Sequence, residues 1–118
     1  MGKEIRNQYG IIDISKDVIG NLAGIATTEC FGVVGMVSSR FSDNINELLR
    51  RDALSKGVDV GVRDDKLYIR VNVVIGYGTR ISTIATNIID NVKYIVEKHT
   101  GLTVDQVEVF VQGVRVVD

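Results

Sequence analysis

The feature that most constrains this chain is a change of period. In "KLYIRVNVVIGYGTRISTIATNIIDNVKYIVEKHTG", Lys66 to Gly101, apolar residues first recur at every second position and then at helical spacing. Leu67, Ile69, Val71, Val73 and Ile75 alternate with Tyr68, Arg70, Asn72 and Val74. Successive side chains of a strand point to opposite faces, so this run predicts one buried face and one that is wet or shared. Ile81, Ile84, Ala85, Ile88, Val92, Ile95 and Val96 then follow the i, i+3, i+4, i+7 pattern of an amphipathic helix. Gly101 supplies its stop, and Lys98 and His99 fall in its last turn, where positive charge suits the helix dipole. His99 also continues the apolar stripe, which predicts packing at the helix end.

The rest of the chain fits around this pair. "YGIIDIS" reads as a first strand with Ile12 and Ile14 on one face, and Ser15 as the N-cap of a helix running to about Phe31. Val18, Leu22, Ile25 and Ala26 keep near-helical spacing, widened by Ile19 and Ala23, and Gly32 is the expected C-cap. Gly20 and Gly24 each weaken that helix by about 1 kcal/mol relative to alanine, which predicts close packing against a neighbouring backbone. "SDNINELLRRDAL" is open between a short helix and an ordered loop, with Ile45, Leu48 and Leu49 on one side. "KGVDVGV" pairs with the long strand through Arg63-Asp64-Asp65-Lys66, and "QVEVFVQGVRVV" is a last strand with Val107, Val109 and Val111 inward. The expected order is β-α-(linker)-β-β-α-β. It predicts one α+β domain over 1–118, a two-layer sandwich with two main amphipathic helices on one face of a mostly antiparallel sheet.

Composition narrows the function. Fourteen basic side chains face fifteen acidic ones among 118 residues, so no long-range field collects nucleic acid or an anionic membrane. No run approaches the roughly 18 to 20 apolar residues of a membrane span, and no signal peptide precedes the first strand. The expectation is a cytoplasmic chain without direct membrane insertion, reaching a membrane only through a partner. Cys30 is the single cysteine and reads as a small buried hydrophobe in a reducing compartment.

Motifs for chemistry are incomplete. "GYGTRIS" follows a strand and opens a helix, as phosphate loops do, but Ile81 stands where the third glycine of a dinucleotide fingerprint belongs, and no Gly-Lys-Ser/Thr follows. Gly76, Gly78, Thr79 and Arg80 therefore read as a turn with Thr79 as N-cap; the alternative is a regulatory subunit that holds an anionic metabolite there. His99 is the only histidine, so neither a metal-ligand spacing nor a serine triad can be drawn. Asp64 and Asp65 are explained by a polar hairpin tip. No cofactor is expected. Tyr68 and Arg70 on an outward sheet face also raise RNA stacking, without a full motif around them.

Taken in order, "YGIIDIS", "VIGNLAGIATTECFGVVGM", "KGVDVGV", "YIRVNVVIGYG" and "IATNIIDNVKYIVEKHTGLTVDQVEVFVQGV" resemble the alkaline shock protein family, the small envelope stress response proteins of Gram-positive bacteria. The resemblance runs from about Tyr9 to Val114. It implies no catalytic residues, and it implies a protein that binds partners, among them a membrane-anchored protein, or itself. This chain has Gly76 where members commonly carry an acidic residue before the "YG" turn, and Phe110 where they often carry a histidine. It also lacks the long charged tail some members add. The candidate interaction surface is Tyr68, Arg70 and Asn72 on the open sheet face, Phe110 beside Tyr68 as an apolar patch, and Arg50 and Arg51 in the linker. The competing expectation is that a loop or the linker covers that face.

Overall fold

The computed structural model describes the backbone of residues 2–7, 10–38 and 48–116, and the side chains of residues 16–38, 48–51 and 53–116. β1 (Gly2–Asn7) and β2 (Gly10–Ser15) form an antiparallel ribbon, and β2 runs directly into α1 (Lys16–Thr28). β3 (Val33–Met36) follows, then a 3₁₀ helix, Arg51–Gly57. The chain continues as β4 (Val58–Arg63), β5 (Lys66–Gly76), α2 (Ile81–Thr100) and β6 (Thr103–Arg115). The expected order is present, with β1, β3 and the 3₁₀ helix added to it. Ile45 and the side chains of Ile12, Ile14 and Ser15 lie outside the described residues.

β5 is the centre of the sheet. β6 pairs with it in parallel along its whole length, from Lys66↔Thr103 to Gly76↔Arg115. A strand has two edges, so β4 and β3 share the other one. β4 lies antiparallel to residues 66–71 and β3 antiparallel to residues 73–75. The β4–β5 hairpin turns on Asp64 and Asp65, both left-handed with φ of 52° and 64°. A two-residue hairpin loop that matches strand twist needs positive φ at both positions, and aspartate tolerates it better than most residues.

Strict alternation puts Leu67, Ile69, Val71, Val73 and Ile75 into one core with Ile84, Ile88, Val92 and Val96 of α2 and Ile19, Ala23 and Ala26 of α1. The two helices are tied at their crossing, where the Asn91 side-chain amide donates to the Ala26 carbonyl at 2.8 Å. Both lie on this inner face of β5, which leaves the other face to be covered by something else or by nothing.

Several local expectations are corrected. α1 ends at Thr28, not near Phe31, and Gly32 is not its C-cap. Gly32 (φ 90°) serves instead in a turn closed by the Val33 amide on the Cys30 carbonyl, which carries the chain into β3. The buried stripe of α1 is Ile19, Gly20, Ala23, Gly24, Ala26 and Thr27, whereas Val18 is 51% and Ile25 36% exposed. The glycines are the reason: a Cβ at Gly24 would fall 2.7 Å from the Leu54 Cβ of the 3₁₀ helix, and one at Gly20 3.1 Å from the Ser55 Cβ. The predicted close approach is there, and it rotates the helix onto its small residues. Cys30 is half-buried, not fully buried.

At α2 the N-cap is Arg80, not Thr79, whose hydroxyl donates back to the Gly76 carbonyl at 2.6 Å. Gly101, left-handed at φ 75°, stops the helix as expected, but His99 is exposed rather than packed. In β6, Val107 is buried and Val109 half-buried, but Val111 is 37% exposed. β6 is paired only with β5 among the described residues, and its C-terminal part, though it runs beside the buried Val73 and Ile75, stays on the exposed edge of the sheet.

Candidate functional site

The outer face of β5 is divided. Toward its C-terminal end, Asn72 and Val74 are only 3% exposed. Asn72 therefore does not stand on an open face. Its amide donates to the Gly57 carbonyl at 3.0 Å and its carbonyl accepts from the Gln112 amide at 2.8 Å. That side chain bridges the place where β4 gives way to β3, satisfying a backbone carbonyl that the ladder leaves over. Leu48 lies over Gly35, the ladder partner of Val74. The linker thus covers this half.

Toward the N-terminal end of β5 the face is open. Tyr68 is half-buried and Arg70 exposed, over a shallow depression of about 440 Å³ lined by Asp59, Gly61, Arg63, Gln106 and Glu108 together with Tyr68 and Arg70. Gly61 keeps the floor low, since a Cβ there would meet nothing nearer than the Tyr68 carbonyl oxygen at 4.0 Å. The cations rest on aromatic rings: Arg63 Cζ is 4.9 Å from the Tyr68 centroid and Arg70 Cζ is 4.3 Å from the Phe110 centroid. Arg70 Nε also donates to Glu108 Oε1 at 3.3 Å, and the Gln106 amide donates to Glu108 Oε2 at 3.3 Å. Water screens each of these exposed contacts, so each adds little to folding stability. The Asp105 carboxylate, hydrogen-bonded to Tyr68, pushes the phenol above its ordinary pKa, so the ring keeps its hydroxyl proton.

Phe110 is on this face and 42% exposed, but it does not adjoin Tyr68. The register pairs Tyr68 with Gln106, Arg70 with Glu108 and Asn72 with Phe110, so Arg70 stands between the two rings. The expected apolar patch is a cation laid over one aromatic, followed by a second such pair. Arg50 and Arg51 are exposed at the start of the 3₁₀ helix, a separate element. Arg63, Asp59 and Glu108 are members that sequence reasoning passed over. The first two were available from the polar phase of β4; Glu108 depended on the β5–β6 register, which local pattern does not encode.

The glycine turn is committed to the fold. The Gly76 amide donates to the Gly32 carbonyl at 2.9 Å, the Tyr77 amide to the Arg115 carbonyl at 2.7 Å and the Thr79 amide to the Gly76 carbonyl at 3.4 Å. These three turn amides already have backbone partners, which leaves an anion only the first-turn amides of α2. Arg80 is exposed beside them. Burial raises the Cys30 thiol pKa, against a lowering by the hydrogen bond from Asn91 and with a smaller rise from the Glu29 charge. Among the described residues no three His, Cys, Asp or Glu side chains gather as metal ligands, and no helix is long and apolar enough to cross a membrane.

Comparison with known proteins adds what geometry does not. Residues 4–116 match the alkaline shock protein family, described as having a cell envelope-related function. The chain is 44% identical over 117 residues to the uncharacterized protein YloU of Bacillus subtilis (strain 168), covering 98% of each chain. It is 42% identical over 118 residues to the uncharacterized protein Spy1614 of Streptococcus pyogenes serotype M6, covering 99% of this chain and 98% of the relative. The uncharacterized protein YqhY of Bacillus subtilis is 28% identical over 106 residues, 90% of this chain and 78% of the relative. No solved structure gives a significant match.

Proposed function

Because this chain belongs to the alkaline shock protein family, with its cell envelope-related function, we propose that it is a non-enzymatic scaffold of the envelope stress response that docks proteins through the open half of its sheet. The occupants are copies of itself or a membrane-anchored protein, which would bring a cytoplasmic domain to the envelope. The observation that carries this is the ordered set of Arg63 on Tyr68 and Arg70 on Phe110 beside a depression that neither helix covers. Arginines stacked on exposed aromatics are the kind of anchor that concentrates binding energy at protein interfaces.

Light scattering after size exclusion, across a hundredfold dilution, tests the self-docking form. A stable oligomer that Phe110→Ala and Arg70→Ala disperse supports a scaffold built from copies. A monomer directs the search to another protein, and the outer-face variants must then fail to restore growth under alkaline stress in a strain lacking the gene. A monomeric chain whose outer-face variants restore growth as fully as the wild type would contradict the docking function.

A further inference from the structure

A second surface, at the opposite end of β5, is left unexplained by docking on the sheet. Two turns there are built alike: Phe31 precedes Gly32 and Tyr77 precedes Gly78, and both glycines are left-handed, at φ 90° and 86°. The Gly76 amide bonds the Gly32 carbonyl, and the Tyr77 amide bonds the Arg115 carbonyl. These bonds line up Gly32, Gly76 and Arg115 across three adjoining chain segments, so that Phe31, Tyr77 and Val116 follow as the next row. They are the three most exposed large apolar side chains among the described residues, at 85%, 76% and 77%. Ile81 and Val114, each 50% exposed, stand behind them.

The turns do not need these side chains. Positive φ at Gly32 and Gly78 accounts for the glycines, and any polar residue before them would serve the fold. An apolar side chain held in water adds little to folding stability, so a row of such side chains, two of them aromatic, marks a surface that something else covers. The charge beside the row is positive. Arg80 and Arg115 are exposed there, and α2 carries no acidic residue in its first turn. The hairpin end of β5, by contrast, shows Arg63, Asp64, Asp65 and Lys66, two of each sign.

Area decides between occupants. Five side chains, two of them aromatic, offer a few hundred Å² at most, on the order of half the roughly 800 Å² per partner of a stable protein interface. They stand on turns rather than lining a groove. A lipid surface needs neither large area nor a matched cavity. Aromatic rings sit readily at the boundary between headgroups and acyl chains, and arginine pairs with phosphate. We propose that Phe31, Tyr77, Val116 and Ile81, with Arg80 and Arg115 beside them, make a peripheral contact with an anionic phospholipid bilayer. The contact is shallow, at headgroup depth, and local to this row, so it departs from the expectation that the chain meets a membrane only through a partner. It shares no residue with the docking face, so either can fail alone.

Flotation of the full chain with vesicles tests it. The protein should rise with phosphatidylglycerol-containing vesicles and much less with pure phosphatidylcholine. A Phe31→Ser, Tyr77→Ser double variant should bind at least about tenfold more weakly, and Arg80→Gln about fivefold more weakly to the anionic vesicles alone. Phe110→Ala should float like the wild type. Circular dichroism of the double variant should be unchanged, since both side chains are exposed, and Ile81→Asn should weaken flotation independently. The lipid contact is overturned if neither vesicle retains the wild type, if the double variant floats as well as the wild type, or if inorganic phosphate, but not sodium chloride of equal ionic strength, releases the protein as a free-anion site would. Loss of a wild-type dimer in the double variant, without flotation of either, would assign the row to a second copy instead.

Discussion

One strand, β5, meets two different environments on its two sides. On the inner side Leu67, Ile69, Val71, Val73 and Ile75 are at most 2% exposed and belong to one core. On the outer side the same strand carries Tyr68 and Arg70 on an open face and Asn72 and Val74 under cover. The inner residues are explained by stability alone. The open outer residues make only weak, solvent-screened contacts with each other, so stability does not explain why rings and guanidinium groups are gathered there. Asn72 lies between the cases, a polar residue retained because it closes the backbone at the β4–β3 junction.

This division can be broken or sharpened by substitution along the strand. Ile69→Ala should destabilise the chain by about 3–4 kcal/mol, the cost of lost transfer free energy plus a cavity, measured by urea unfolding. Asn72→Ala should cost about 1–3 kcal/mol, since the Gly57 carbonyl then loses its donor. A value near zero would mean that the covered half is held by linker packing instead. Arg70→Ala should cost less than about 1 kcal/mol, because the ion pair with Glu108 is 44% and 43% exposed. If Arg70→Ala instead cost as much as Ile69→Ala, the outer face would be structural and the contrast between the sides would disappear.

The smallest effect is a pH dependence. Folding raises the Cys30 thiol above its ordinary pKa of 9.0. The folded state therefore holds that proton more tightly than the unfolded chain. The associated stabilisation is full below pH 9.0 and is lost as pH rises through the raised folded value. Cys30→Ala should flatten the alkaline limb of a stability–pH curve, and Asn91→Ala should steepen it, because Asn91 is the contact that lowers the thiol pKa.

What can be read from sequence follows the size of the side chains that carry the packing. α2 is legible because Ile84, Ile88, Val92 and Val96 state its buried face in bulky residues. α1 is legible as a helix but not in its orientation, since Gly20, Ala23 and Gly24 bury a face through close approach to Leu54 and Ser55. Hydrophobic spacing points instead to Val18 and Ile25, which are exposed. The β4–β5 hairpin is legible because its loop chemistry is local. The position of Phe110 is not: it depends on a parallel register with irregularities near Tyr68 and Val74, which no local signal states. The candidate face is therefore half visible, in Tyr68 and Arg70, and half dependent on tertiary pairing, in Glu108 and Phe110.

The central claim, that the open half of the sheet docks protein, is tested most directly by placing a photo-crosslinking amino acid at Phe110 and, as a control, at Lys93, an exposed residue of α2, in living cells. Discrete protein adducts from position 110 and none from position 93 are the predicted result. No adduct from position 110, or the same adducts from both positions, would contradict it.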